Sequence, residues 1–166
     1  MDQREHRFQG WVDRFLDRVI LPPCFITAID LAGQETMNQR ARMQGRGTKF
    51  GLPDHYVLQD GRSVWIELKA GSNIPTERQK GVMASIRGAG GAADWTATLD
   101  GVLAIVRRAG LRIHGNADNI CREITERWQA DERARASGDK PVRASKPRQA
   151  KPTARALKVA ARFHRP

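Results

Sequence analysis

Apolar and polar residues recur along the chain with two periods, and these periods predict the elements of the fold. From Phe8 to Val19 the apolar residues have helical spacing and predict a first helix, which Pro22-Pro23 ends. The apolar residues of this face are Phe8, Trp11, Val12, Phe15, Leu16 and Val19. The β-branched stretch 24–31 predicts a strand, and the basic stretch 34–47 predicts a short helix.

A hairpin is predicted between residues 54 and 69. Residues 54–59 and 62–69 flank Asp60-Gly61, a strong signal for a two-residue turn. Such a turn fixes the register, so that 59 faces 62 and, by continuation, 54 faces 67. The face opposite Asp54 and Glu67 then carries four apolar side chains, which predict an ordinary core: Val57, Val64, Ile66 and Leu68.

The second half of the chain alternates helices with one strand. Pro75-Thr76 opens a helix in which Thr76 and Gln79 have capping-box spacing. A strand is predicted at 93–98, a helix at 99–110 and a polar helix at 117–137. The order α-β-(α)-β-β-α-β-α predicts an α/β (α+β) fold class, with a small mixed sheet flanked by helices.

Length and composition narrow the class of protein. A chain of 166 residues is one domain with room for a tail, and it contains no apolar run long enough to span a membrane. The charged N-terminus is unlike a signal peptide, so we expect no membrane partner. Cys24 and Cys121 have no CxxC partner, which argues against a zinc site and favours a reducing, cytoplasmic location.

The net charge of +11 is concentrated at the C-terminal end. Residues 140–166 contain no acidic side chain, and the rest of the chain holds 20 basic against 18 acidic residues. The basic residues of this tail are Lys140, Arg143, Lys146, Arg148, Lys151, Arg155, Lys158, Arg162 and Arg165. We expect the tail to be disordered and to bind nucleic acid, together with Arg40, Arg42, Arg46 and Lys49.

The predicted register brings ionisable groups together. Asp54 and Glu67 sit opposite one another, roughly 5 Å apart at Cβ, and Lys69 points to the same face. Two like charges in this position need a cation, and carboxylate oxygens suit Mg²⁺. Lys69 then stabilises an anionic transition state or positions the attacking water. The competing interpretation is a solvated surface with a weak ion pair.

These residues also match a known pattern. Gly51-Leu52-Pro53-Asp54, Glu67-Leu68-Lys69 and Thr76-x-x-Gln79 resemble the PD-(D/E)XK nuclease superfamily. Within it, the chain is most similar to the small stand-alone VRR-NUC nucleases of phages and bacteria, over residues 3 to 115. The resemblance implies a restriction-endonuclease-like core at 1–115, followed by a polar helix or linker at 116–139 and the basic tail at 140–166. It also implies a bacterial cell, or one infected by phage.

The resemblance implies roles for particular residues. Asp54 and Glu67 would bind the metal, with the Leu68 backbone carbonyl and Glu5 as further candidates. Lys69 would be the catalytic lysine, and Gln79 would face the active site. The implied cofactor is Mg²⁺, for which Mn²⁺ would substitute.

The expected function is that of a Mg²⁺-dependent DNA endonuclease. The resemblance implies a preference for branched or Holliday-junction-like DNA, and a homodimer as the form that cuts it. Two alternatives stay open: a non-catalytic, basic nucleic-acid-binding protein, and a restriction- or recombination-type nuclease of the same superfamily.

Overall fold

The computed structural model of the protein describes residues 3–29, 42, 45–47 and 49–138, and sets its helices around one mixed sheet. The helices are α1 (Gln3–Val19), α2 (Glu77–Gly88), α3 (Leu99–Arg108) and α4 (Ala117–Ala136). The strands are β1 (Phe25–Ala28), β2 (His55–Gln59), β3 (Arg62–Leu68) and β4 (Ala92–Thr96).

The four strands lie in the order β1-β2-β3-β4. The pairs β1/β2 and β2/β3 are antiparallel, whereas β4 runs parallel to β3 after the crossover through α2. A parallel neighbour requires such a crossover, because a short turn can join only antiparallel strands. The predicted fold class, a small mixed sheet flanked by helices, is confirmed.

The hairpin has the predicted register from Gln59↔Arg62 to His55↔Ile66. Asp60 and Gly61 both have positive φ, 50° and 76°, as a type I′ turn requires. The paired region stops at His55↔Ile66, so the predicted 54/67 pair lies one step beyond the last pair of the sheet. In the structure, the strand predicted at 54–59 begins one residue later, at His55, and the strand predicted at 62–69 ends one residue earlier, at Leu68.

The core lies on one face of the sheet, where α1 and α3 cover it, and α4 packs against these two helices. Val57, Val64, Ile66 and Leu68 are fully buried there, as the alternation along the hairpin predicts. The stretch predicted as a polar helix or linker, 116–139, forms α4. One side of α4 belongs to the same core through Ala117, Ile120, Cys121 and Ile124.

Other predicted boundaries differ from those in the structure. Of the strand predicted at 24–31, Phe25–Ala28 forms a strand, and residues 30 and 31 lie outside the described residues. The strand predicted at 93–98 ends at Thr96. Thr98 is instead the N-cap of α3, because its hydroxyl accepts the Gly101 backbone N–H at 3.0 Å. Most of the predicted basic helix, including Arg40, and the whole tail lie outside the described residues. No helix of the described part is long and apolar enough to cross a membrane.

Candidate active site

The predicted site residues meet at one end of the hairpin. Asp54 lies directly before β2, Glu67 is the penultimate residue of β3, and Lys69 follows that strand. Gln79 comes from the first turn of α2, and Glu5 comes from the first turn of α1. Four separate segments therefore contribute to one cluster, which we call the acid cluster: Glu5, Asp54, Glu67, Lys69 and Gln79.

The three carboxylates of the acid cluster converge tightly. Glu5, Asp54 and Glu67 each offer an oxygen within 4.8 Å of the other two. Asp54 is fixed by its Oδ2, which accepts the Leu68 backbone N–H at 2.7 Å. This bond replaces the strand pairing that was predicted for Asp54, and it holds the carboxylate next to Glu67.

Lys69 is the cation that partly compensates these acids. Its Nζ lies 2.6 Å from Glu67 Oε1 and 3.4 Å from Glu5 Oε1. When all three carboxylates are ionised, one ammonium leaves two negative charges, which one divalent cation would balance. Glu67 Oε2 is buried and has no hydrogen-bond partner among the described residues. An unpaired buried oxygen is costly, and coordination to a metal would satisfy it. The donor set therefore fits a hard divalent ion.

Gln79 connects the acid cluster to the start of α2. Its side-chain N–H₂ donates to Glu67 Oε1, and its Oε1 accepts the Thr76 backbone N–H at 2.9 Å. The Thr76 hydroxyl in turn accepts the Gln79 backbone N–H, at 3.3 Å, so the predicted capping box is confirmed. Because one amide serves both the cap and Glu67, the helix terminus sets the position of that carboxylate.

Burial and mutual repulsion favour the protonated acids. Desolvation by burial raises the pKa of Asp54 to about 6, against the opposing hydrogen bond from Leu68. Burial, followed by the charge of Asp54, raises the pKa of Glu67 to about 7. Burial alone would lower the pKa of Lys69, but the hydrogen bond to Glu67 and the charges of Glu67, Glu5 and Asp54 together raise this pKa. The site is thus poised to exchange protons for a metal ion near neutral pH.

A cationic groove lies next to the acid cluster. It has a volume of about 700 Å³, and it is lined on one side by Gly47, Lys49, Phe50 and Leu52 and on the other by α2. Its lining is largely apolar but includes Lys49 and Arg78, both exposed. Gly51 has a φ of 85°, a conformation that favours glycine, and a Cβ there would also approach Arg78 Cγ to 3.0 Å.

The predicted nucleic-acid-binding residues are only partly placed. Lys49 lines the groove, and Arg42 and Arg46 are exposed on the segment before it. Arg40 and the nine basic residues of the tail lie outside the described residues. Arg78 was not predicted from the sequence. Its position in the first turn of α2, beside Gln79, is the signal that could have identified it.

Comparison with solved structures gives one informative likeness. The chain is similar to a protein described as "VRR_NUC domain protein", with a TM-score of 0.52 and 20% identity. The similarity covers 66% of this chain and 89% of that one. The likeness shows that the chain has a VRR-NUC-like nuclease fold, as the sequence resemblance predicted. No protein-family profile matches the chain, and no curated protein matches it.

Proposed function

We propose that the chain is a metal-dependent DNA endonuclease that hydrolyses phosphodiester bonds. The observation that carries this proposal is the acid cluster: three carboxylates with two uncompensated negative charges and an unpaired oxygen on Glu67. A protein that only binds DNA has no need to place these acids where DNA phosphates would be repelled. The VRR-NUC-like fold supports the same function.

The proposed cofactor is Mg²⁺, with Mn²⁺ as a substitute, because the donor set consists of oxygens. Asp54 and Glu67 would hold the ion, with Glu5 and the Leu68 carbonyl as further ligands. Such an ion polarises a phosphate and lowers the pKa of a bound water. These carboxylates bind a metal only when deprotonated, so metal affinity should rise with pH through the raised pKa values of about 6 and 7.

The protein's own residues would position the reacting groups. Lys69, held by Glu67 and Glu5, presents a positive charge where the phosphate gains negative charge in the transition state. Gln79 holds Glu67 from the other side. We propose branched DNA as the substrate and a homodimer as the active form, on the strength of the VRR-NUC likeness alone.

Cleavage of labelled linear, nicked and branched DNA with Mg²⁺, Mn²⁺ or EDTA tests the proposal. We expect cutting with either metal, none with EDTA, and none by Asp54→Asn or Glu67→Gln. Asp60→Asn is the matched control, because this exposed acid lies on the turn of the same hairpin and should cut normally. Wild-type rates from both cluster variants would reject the active site, and DNA binding without any cutting would favour a non-catalytic protein.

Lys69→Ala separates turnover from binding. We expect a strong loss of rate with little change in DNA affinity, because the role of Lys69 is in the transition state. The same change removes the cation that competes for Glu67 and Glu5, so the affinity for Mg²⁺ should increase. A variant that loses DNA affinity as much as turnover would show that Lys69 is a simple phosphate contact.

A further inference from the structure

An open row of aromatic side chains lies on the face of the sheet that also carries Asp54 and Glu67 of the acid cluster. We call Phe25, Tyr56 and Trp65 the aromatic row. The ring centroids of Phe25 and Tyr56 are 6.2 Å apart, and those of Tyr56 and Trp65 are 4.5 Å apart. The register explains the grouping, because Tyr56 pairs with Trp65 on the hairpin and Phe25 pairs with Leu58 across β1 and β2.

The aromatic row is exposed where most large apolar residues of the described chain are buried. Phe25 keeps 56% of its surface exposed and Leu58 keeps 38%, while Tyr56 and Trp65 are half-buried. The opposite face of the same strands is fully covered at Val57 and Val64. An open apolar patch of this kind costs hydration free energy and marks a binding surface.

The aromatic row continues directly into the acid cluster. Tyr56 lies two residues after Asp54, and Trp65 lies two residues before Glu67, so each pair shares a face about 7 Å apart. A protein partner seated on the row would cover the acids that a phosphate must reach. A nucleic-acid strand would instead bring its phosphate to the acids and its bases to the rings.

The chemistry of this face suits bases rather than phosphates. The residues of β1, β2 and β3 that share this face beside the acid cluster carry no charge: Phe25, Thr27, Tyr56, Leu58, Ser63 and Trp65. The cations Lys49 and Arg78 lie in the neighbouring groove, where they could contact the backbone of the strand. Bases inside a duplex are stacked on one another, so only unpaired bases can stack on aromatic side chains.

We propose that the aromatic row binds unpaired nucleobases of the strand that the acid cluster cuts. This inference rests on the proposed function and deepens it, because it makes the substrate a DNA with a single-stranded segment next to the scissile phosphate. The aromatic rings would stack on bases of any sequence, since every base has a π-face. The subsite therefore selects a DNA structure and not a sequence.

The test measures DNA binding in EDTA, so that no cleavage occurs. Three labelled probes of equal length are compared: a single strand, the same strand with abasic positions, and a duplex. Phe25→Leu and Tyr56→Leu should each weaken single-strand binding by about 5- to 150-fold, the range for loss of one stacked base. Binding of the abasic strand and of the duplex should change less than about two-fold, because neither variant removes a phosphate contact.

Controls distinguish stacking from general damage. Phe25→Trp should keep single-strand binding, and Ile74→Ala should leave all three affinities unchanged, since Ile74 is 63% exposed outside the sheet. Thermal melting confirms that the variants fold, which we expect for Phe25→Leu because its side chain is exposed. The slope of affinity against salt should match the wild type, because no charge is lost.

Several results would overturn the inference. If Phe25→Leu and Tyr56→Leu lose the same factor of affinity for the single strand, the abasic strand and the duplex, the aromatic row does not stack on bases. A wild-type dimer that becomes a monomer in Phe25→Leu, measured by light scattering, would make the row an interface between two copies. Cleavage in Mg²⁺ is assayed separately on the same proteins. If the wild type binds the intact strand more tightly than the abasic strand but cuts no DNA, only the proposed function is rejected. If it cuts DNA but binds the two strands equally, only base stacking on the aromatic row is rejected.

Discussion

Replacing Asp54 by Asn should stabilise the metal-free protein at pH 8. The Asp54 side chain is buried beside Glu67, and its ionised form is disfavoured there. Asparagine has nearly the same shape and keeps an oxygen that can accept the Leu68 N–H, but it carries no charge. The variant therefore removes the electrostatic cost of the site while leaving its packing intact.

The magnitude follows from the pKa of Asp54. In the folded protein this pKa is about 6, against 3.8 for an ordinary aspartate. A shift of about two units sets a ceiling of about 3 kcal/mol at about 1.4 kcal/mol per unit. Because the site retains some solvent contact, we expect about 1–2 kcal/mol at pH 8.

The sign of the pH dependence is also determined. A carboxyl whose pKa is raised by folding binds its proton more tightly in the folded state than in the unfolded state. Below about pH 4 the carboxyl is protonated in both states, and the folded protein carries no buried charge there. The folded protein loses stability as the pH rises through about 6 for Asp54 and about 7 for Glu67. In EDTA the free energy of unfolding of the wild type should therefore decrease between pH 4 and 8, and Asp54→Asn should reduce that decrease.

Urea unfolding followed by tryptophan fluorescence measures these free energies, since the chain has four tryptophans. Asp60→Asn is the control, because the pKa of Asp60 is shifted in the opposite direction: the hydrogen bond from Arg112 lowers it. This variant should therefore not gain stability at pH 8. Added Mg²⁺ at 100 times its Kd should stabilise the wild type by about 2.7 kcal/mol. It should leave Asp54→Asn nearly unchanged. An Asp54→Asn protein less stable than the wild type in EDTA at pH 8 would refute this account of the acid cluster.

Three further predictions concern the helix cap, the packing of α3 and the tail. Thr76→Ala removes the N-cap of α2 and should cost about 1 kcal/mol. It should also slow cleavage, whereas unchanged turnover would show that the cap does not position the acids. Gly101→Ala places a Cβ 1.9 Å from Thr96 Oγ1 and should destabilise the fold by about 1–3 kcal/mol. A Cβ added at Gly10 in α1 meets no atom within 4 Å, so Gly10→Ala should stabilise the helix by up to about 1 kcal/mol. Thermal unfolding measures both glycine variants, and equal changes in stability would contradict the close packing of Gly101 in α3. Deleting residues 140–166 should weaken binding to all DNA shapes alike and make the slope of log K against log salt shallower by about 4, if roughly half the tail engages phosphates. An unchanged slope in binding titrations at two salt concentrations would rule out a DNA-binding role for the tail.

The sequence by itself determined the elements whose signals are local. The apolar spacing of α1 identifies the face that is buried, and Asp60-Gly61 determines the register of β2 and β3, because this pair readily adopts the positive φ values of a type I′ turn. The register in turn predicts which hairpin residues are buried and which share a face with Glu67 and Lys69. The capping box at Thr76 likewise depends on residues three positions apart.

Helix α4 was predicted as a helix, but the local signal of its buried face was not recognised. Ala117, Ile120, Cys121 and Ile124 have the i, i+3, i+4, i+7 spacing of a buried face. Two of these four side chains are small, and charged residues surround them, so the stretch resembles a polar linker. Its burial depends on α1, which is more than 90 residues away in sequence and packs against it.

Only the tertiary structure decided how the acid cluster is assembled. Glu5 reaches Asp54 and Lys69 because α1 packs across the sheet, and no local pattern specifies that distance. The contact between Gln79 and Glu67 depends on how α2 docks on β4. Hydrophobic periodicity specifies which side of an element is buried, but the angle and offset at which two elements pack arise from the complementarity of many side chains at once. The residues of the cluster could therefore be named from the sequence, whereas their distances, their shared charge and their raised pKa values could not.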